Sequence, residues 1–128
     1  MQIQKEWLTA CSDAVLSYKV FLKELTKGKE KTHATLSKEI EALPEGDVLL
    51  HGDFHPGNVL LTPDNRTVVI DFMNVCCGPA LYDIARTYFL LREKDEAFGN
   101  VYLAKMEVSE EEIEMFYRVI EKCRGYEK

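Results

Sequence analysis

Strand-forming sequence is confined to one short stretch in the middle of this chain, between residues 47 and 71. An apolar run at 48–50 is followed by two more, at 58–61 and 67–70. The residues between the last two runs, Thr-Pro-Asp-Asn-Arg at 62–66, favour a turn, so the two runs predict a β-hairpin. Because helical periodicity dominates on both sides of this stretch, we expect a mainly helical α+β fold.

The residues before this stretch predict two helices. Apolar side chains recur at helical intervals for about five turns from Trp7 to Leu25, and Gly28 follows where a helix stop is expected. A second apolar stripe over residues 36–43 predicts a shorter helix. Pro44 should end it, because proline cannot continue the backbone hydrogen-bond ladder.

The residues after this stretch predict further helices. Pro79 precedes apolar residues at helical spacing from Leu81 to Phe89, and proline suits a first helical turn. Ser109 and Glu112 form a capping box for a final helix. We therefore expect one domain over 1–128, with a helical segment 1–45, a loop and hairpin at 46–77, and a helical segment 78–128.

Composition and charge exclude several classes of protein. The 128 residues carry a net charge of −6, which leaves no electrostatic footprint for nucleic acid. No stretch approaches the roughly 20 apolar residues that span a bilayer, and the N-terminus lacks the apolar run of a secretory signal. We expect a cytoplasmic protein with neither a nucleic-acid nor a membrane partner.

The four cysteines, at positions 11, 76, 77 and 123, show no C-x-x-C spacing. A bridge between the adjacent pair would close a strained ring. We therefore expect reduced thiols that act as small buried hydrophobes.

The predicted hairpin brings polar side chains together. If residues 64–65 are the centre of the turn, Asn58 lies opposite Asp71, and a register shift of one residue moves Asp71 by only one step. Asp53 precedes Asn58 by five residues in a loop with flanking glycines, which permit the loop to curl back. Two carboxylates and an amide should therefore converge.

Converging carboxylates repel each other unless a cation lies among them. Oxygen ligands suit a hard ion such as Mg²⁺, which completes its coordination with water and substrate phosphates. The spacing His51-x-Asp53, then Asn58, then Asp71 after a short strand matches a kinase catalytic loop followed by its metal-binding aspartate. Mg²⁺ with a nucleotide is the natural inference.

Three segments together resemble one family. They read LHGDFHPGNVL at 50–60, VIDF at 69–72 and GPALYDIA at 78–85. The set is similar to the signature of the aminoglycoside phosphotransferase and choline kinase family, small-molecule relatives of the protein kinases. The resemblance spans residues 48–89 and implies the C-terminal lobe of a protein-kinase-like fold. It also implies transfer of the ATP γ-phosphate to a hydroxyl of an aminoglycoside-, choline- or sugar-like molecule.

The resemblance implies a role for each matching residue. Asp53 would be the catalytic aspartate that accepts the proton of the substrate hydroxyl, and Asn58 and Asp71 would bind Mg²⁺. His51 would support the site structurally, and Asp83 would anchor the catalytic loop through backbone N–H groups. His55 belongs to the motif without an assigned role, and both a loop-bracing hydrogen bond and a substrate contact stay open.

The ATP-binding half of the family pattern is missing from this sequence. The 50 residues before the motif contain no glycine-rich phosphate-covering loop and no strand with a phosphate lysine. We therefore expect the N-terminal lobe to be absent and the chain alone to be inactive. We also expect self-association over the hairpin surface that such a lobe would cover.

Two alternatives remain open from the sequence. The chain could be a non-catalytic binding or regulatory module that kept the kinase-like fold, or a metal hydrolase in which His51, Asp53 and His55 bind zinc. Asn58 is a poor zinc ligand, and the glycines and proline of this loop would break the strand that the zinc arrangement needs.

Overall fold

The computed structural model of the protein describes residues 9–10, 16–26, 30–71 and 74–127. Five α-helices lie within these ranges: α1 (Tyr18–Thr26), α2 (Glu30–Glu41), α3 (Ala80–Lys94), α4 (Glu96–Met106) and α5 (Glu110–Glu127). The strands are β1 (Thr9–Ala10), β2 (Val48–Leu50), β3 (Val59–Leu61), β4 (Thr67–Val69) and β5 (Cys76–Gly78). A 3₁₀ turn, Pro56–Asn58, precedes β3. The fold is therefore α+β and mainly helical, as predicted.

The strands form two small antiparallel sheets. In the first, β2 lies between β1 and β5, with Leu49 opposite both Thr9 and Cys77. The second sheet is the hairpin of β3 and β4. The loop at 51–55 leaves the end of β2 and enters the 3₁₀ turn, so it connects the two sheets.

The core forms where α3 packs against α4 and α5, and α1 packs against α2 and α5. Tyr18, Tyr82 and Phe116 meet there, with ring centroids 4.6–6.4 Å apart. Residues 82–89 of α3 are all buried, so this part of the helix is covered on every side. Helix α3 thus connects the helical core to the polar loop at 51–55.

The predicted hairpin is confirmed, but its register differs by one residue from the predicted register, in which Asn58 lies opposite Asp71. Val59 lies opposite Val69, which places Ile70 opposite Asn58. The loop contains three residues, 63–65, and Asn65 adopts a left-handed conformation with φ 66°. A type I turn followed by a left-handed residue is the usual three-residue hairpin loop, and it accounts for the shift.

The other local predictions also hold. Helix α2 ends at Glu41, shortly before Pro44, and α3 begins directly after Pro79. The capping box of α5 is formed: Ser109 N donates to Glu112 Oε2 at 2.8 Å, and Glu112 N donates to Ser109 Oγ at 3.3 Å. None of the helices within the described ranges combines the length and the apolar character needed to cross a membrane.

The prediction of one long helix from Trp7 to Leu25 is wrong at Thr9–Ala10, which is strand β1. The helix begins only at Tyr18, because Ser17 forms a bridge with Cys77 and the Leu16 carbonyl accepts a hydrogen bond from Cys77 N at 2.8 Å. Hydrogen bonds from this segment to β2 and β5 satisfy its backbone N–H and C=O groups, which would be costly to bury unpaired. This gain outweighs the helical periodicity of the local sequence. Residues 7–8 and 11–15 of that predicted helix, and Gly28, lie outside the described ranges.

Strand β5 was not predicted either, because strand signals were found only up to residue 71. Its Cys76 is buried against the core, and the segment pairs along the whole of β2. Cys76 and Cys123 are buried and in no disulfide, as predicted, but Cys77 is disulfide-bonded, so the prediction of reduced thiols is wrong there. The strained-ring argument excluded only a bridge between the adjacent cysteines.

Candidate active site

The loop that carries Asp53 is tied to the first turn of α3 by Asp83. The Asp83 carboxylate is completely buried and accepts two backbone hydrogen bonds, from Gly52 N at 2.9 Å and from His51 N at 3.2 Å. A charged acceptor makes stronger hydrogen bonds than a neutral one, so both bonds resist movement of the loop.

Gly52 has a conformation that this tight attachment requires. Its φ is +84°, and a Cβ at this position would lie 2.3 Å from the carbonyl oxygen of Asn74. Both the backbone angle and the close approach favour glycine. Only a residue without a side chain therefore permits the loop to pass this close to the segment before β5.

Two further residues on the same face of α3 reach the loop. Thr87 Oγ1 donates to the carbonyl oxygen of Phe54 at 2.7 Å, and Arg86 Nη2 lies 3.5 Å from Asp53 Oδ1. Residues at i, i+3 and i+4 share one face of a helix, which is the relation of Arg86 and Thr87 to Asp83. Neither residue was predicted from the sequence to have a role, although its spacing from Asp83 was a usable signal.

His51 links the loop to the end of β4. Its Nδ1 accepts from Asp53 N at 3.1 Å, and its Nε2 lies 2.9 Å from the carbonyl oxygen of Ile70. These partners assign the proton to Nε2, because a carbonyl oxygen can only accept. The buried ring thereby connects the backbone of Asp53 to the residue before Asp71.

The carboxylate of Asp53 lies among donors and remains open to solvent. Oδ2 is 3.4 Å from Asn58 Nδ2 and 3.6 Å from His55 Nε2, while Oδ1 faces Arg86. The side chain is 24% exposed. The surrounding groups hold one anionic side chain in place without sealing it from a ligand.

His55 braces the 3₁₀ turn. Its Nδ1 accepts a hydrogen bond from Gly57 N at 3.1 Å, which caps the turn, and its Nε2 lies 3.3 Å from Asn58 Nδ2. One third of the side chain is exposed. His55 therefore lies at the boundary between Asp53 and solvent.

Asn58 and the end of β4 are held side by side. Asn58 Nδ2 donates to the carbonyl oxygen of Asp53 at 2.8 Å, and Ile70 N donates to the carbonyl oxygen of Asn58 at 2.8 Å. Asp71 follows Ile70 directly, is exposed, and has φ 62°, a left-handed conformation that aspartate tolerates better than most residues. The amide nitrogen of Asn58 is engaged by the loop, which leaves its oxygen as the atom suited to a cation.

The zinc hypothesis does not fit this geometry. Both ring nitrogens of His51 make hydrogen bonds to the backbone. Within the described ranges, no group of three or more His, Cys, Asp or Glu side chains is placed to hold a metal ion. A magnesium site with two protein ligands needs no such cluster, because Mg²⁺ takes its remaining ligands from water and phosphate.

A loop aspartate, an asparagine five residues later and an aspartate after a hairpin strand follow the order of the catalytic-loop and metal-binding residues of protein kinases. The model of the phosphotransferase enzyme family matches residues 4–116, so the chain belongs to this family. Membership confirms the resemblance to aminoglycoside phosphotransferases and choline kinases. Comparisons with curated proteins and with solved structures gave no match.

Proposed function

We propose that this chain carries the catalytic site of an ATP- and magnesium-dependent phosphotransferase that acts on a hydroxyl of a small molecule. We further propose that its fold is the C-terminal lobe of a protein-kinase-like enzyme. The observation that carries the proposal is the placement of Asp53. Its partly exposed carboxylate lies on a loop attached to a buried helix, with Asn58 beside it.

In this proposal Asp53 orients the acceptor hydroxyl and receives its proton. A bond forms between the hydroxyl oxygen and the γ-phosphorus, and the bond from that phosphorus to the β,γ-bridging oxygen breaks. ADP leaves with the electron pair of the broken bond. His51 and Asp83 act by holding the backbone of Asp53 through the hydrogen bonds described above.

The oxygens of Asn58 and Asp71 fit Mg²⁺, because an amide oxygen and a carboxylate are hard ligands. When bound, the ion supplies neutralisation of the phosphate charges. Asn58 keeps its amide nitrogen on the carbonyl oxygen of Asp53, so the loop that orients the acceptor also orients a ligand oxygen.

We propose that the 128 residues alone are almost inactive, with at most a slow residual turnover. The sequence before the loop contains no glycine-rich phosphate-covering segment. Positioning the phosphoryl group and stabilising its charge are most of the work in this reaction, whereas a general base supplies about 10²–10⁴-fold. An intact base is therefore insufficient for rapid turnover.

The test combines metal binding and turnover. Mn²⁺ added to the ¹⁵N-labelled chain should broaden the amide resonances of residues 53, 58 and 71 first, and both Asn58→Ala and Asp71→Ala should weaken that effect. ADP release with ATP and a panel of small alcohols measures turnover. Asp53→Asn should abolish the turnover that is present, while Asp95→Asn, a matched change at the N-cap of α4, should leave it unchanged.

Broadening centred elsewhere would refute the assigned metal ligands. Rapid turnover by the chain alone would refute only the proposed inactivity. A second candidate is a non-catalytic binding module with this fold. Turnover that is the same with Asp53→Asn as with the unaltered chain would favour that candidate over the enzyme.

A further inference from the structure

A wide cleft opens directly beside the catalytic loop. Its volume is about 900 Å³, and its walls are residues 55–57, the last turns of α3, the beginning of α4 and the end of α5. Small-molecule sites commonly enclose about 300–1,000 Å³. His55 belongs to this wall, and its Nε2 lies 3.6 Å from Asp53 Oδ2, so the wall of the cleft adjoins the proposed base.

Much of the cleft wall is apolar. Pro56, Leu90 and Leu91 line it, and Phe98 presents a ring that is 60% exposed. A large aromatic side chain with this exposure, grouped with other apolar residues in a concavity, is a feature of ligand sites. The body of the ligand should therefore contain an apolar or aromatic face.

The charged groups of the cleft do not favour a cation. The carboxylate of Glu93 is bonded to Arg124 by two hydrogen bonds, of 2.8 and 3.1 Å, so these two charges offset each other. Lys94 adds a positive charge to the same wall. The cleft thus lacks the excess negative charge of the whole chain, whose net charge is −6.

We infer that this cleft binds the acceptor, and that the acceptor is a hydroxyl compound with an apolar body and either no charge or one negative charge. A polycationic amino sugar does not fit, because Glu93, the only carboxylate among the wall residues that the structure describes, is already bonded to an arginine. The inference rests on the proposed function for the role of the bound molecule, but the binding itself requires neither nucleotide nor metal.

The test is a titration of the ¹⁵N-labelled 128-residue chain, without ATP or Mg²⁺, with three probes. These are 2-phenylethanol, which is uncharged, 3-phenyllactate, which carries one negative charge, and kanamycin, a polycation. The first two should shift the amide resonances of residues 55–57, 90–94 and 98, and kanamycin should not. Phe98→Ala should weaken the binding of both aromatic probes by about three- to tenfold, because it removes an aromatic contact.

Lys94→Gln should weaken binding of 3-phenyllactate more than that of 2-phenylethanol. Both altered side chains lie on the surface, so the fold should survive, and an unchanged circular dichroism spectrum verifies this. Saturable kanamycin shifts in the cleft would overturn the inference, as would the absence of shifts from both aromatic probes. Binding of these probes by a chain that fails the turnover and metal tests would contradict the proposed function and leave the cleft assignment standing.

Discussion

Replacement of Asp83 tests whether α3 holds the loop at 51–55. Asp83→Ala removes the acceptor of two buried backbone N–H groups, those of His51 and Gly52. A hydrogen bond to a charged group contributes about 1.5–3 kcal/mol, so the loss of both should lower the free energy of unfolding by about 3–6 kcal/mol. Because domains are stable by only about 5–15 kcal/mol, this variant should be largely unfolded or close to it.

Asp83→Asn gives a graded version of the same test. The amide oxygen can still accept from one N–H, but the amide nitrogen then faces the other N–H, so we expect a loss of about 1.5–3 kcal/mol. Urea denaturation followed by circular dichroism measures both variants. Thr87→Val is the matched control, because it removes one neutral hydrogen bond to the same loop and should cost about 1 kcal/mol. If Asp83→Asn were as stable as the unaltered chain, the carboxylate would not be the anchor of this loop.

Three other changes follow from the same structure. Gly52→Ala should destabilise the fold by at least about 1 kcal/mol, because φ is +84° and the new Cβ would meet Asn74 O. Thermal unfolding measures this loss of stability. Gly57→Ala is the control and should cost less, because Gly57 does not have a positive φ. Burial, with a smaller contribution from the charge of Asp83, raises the pKa of the Cys76 thiol from 9.0 to about 12. Between those pH values the folded chain keeps a proton that the unfolded chain has lost, so stability should fall by about 1.4 kcal/mol per pH unit. Urea midpoints at about pH 8 and pH 10.5 would show this, and Cys76→Ala should reduce the slope; an equal slope in that variant would contradict the assignment. Leu61 on the hairpin is 72% exposed, and light scattering should show self-association that Leu61→Lys weakens; a concentration-independent monomer would refute this prediction.

The parts of the fold that were predictable depend on residues close together in sequence. A few neighbouring residues with strong conformational preferences determine each of these features: the hairpin, the capping box of α5, the end of α2 and the beginning of α3. The one-residue error in hairpin register had a local cause as well, because the left-handed Asn65 makes a three-residue loop where a two-residue turn was assumed. The predicted closeness of Asn58 to the end of β4 is correct despite this error, because a register shift of one residue moves the pairing by a single step.

The parts that could not be predicted depend on pairing between distant segments. Thr9–Ala10 has the periodicity of a helix, and only the presence of β2 some 40 residues away makes a strand more favourable there. The same limitation hid β5, which is three residues long and pairs with β2 across the intervening hairpin. Cys77 likewise gives no local sign of its disulfide.

The candidate site combines both kinds of contact, and this explains why the sequence analysis found Asp53 but not Arg86. The loop residues form a contiguous motif, whereas Arg86 reaches Asp53 only because α3 packs beneath the loop. A loop has no hydrogen-bond ladder of its own, so the position of Asp53 depends on what the loop is attached to. Here one face of α3 holds three different groups of that loop: backbone N–H groups through Asp83, a side-chain carboxylate through Arg86, and a backbone carbonyl through Thr87.

The opposite face of the same helix is buried in the core, where Ala85 and Tyr88 are almost completely inaccessible. Close-packed interiors transmit displacements, because there is no free volume to absorb them. A shift of α3 along the core would therefore move all three attachments of the loop together, and Asp53 with them. The position of the proposed base is consequently set by the packing of the helical core as much as by the loop in which it lies.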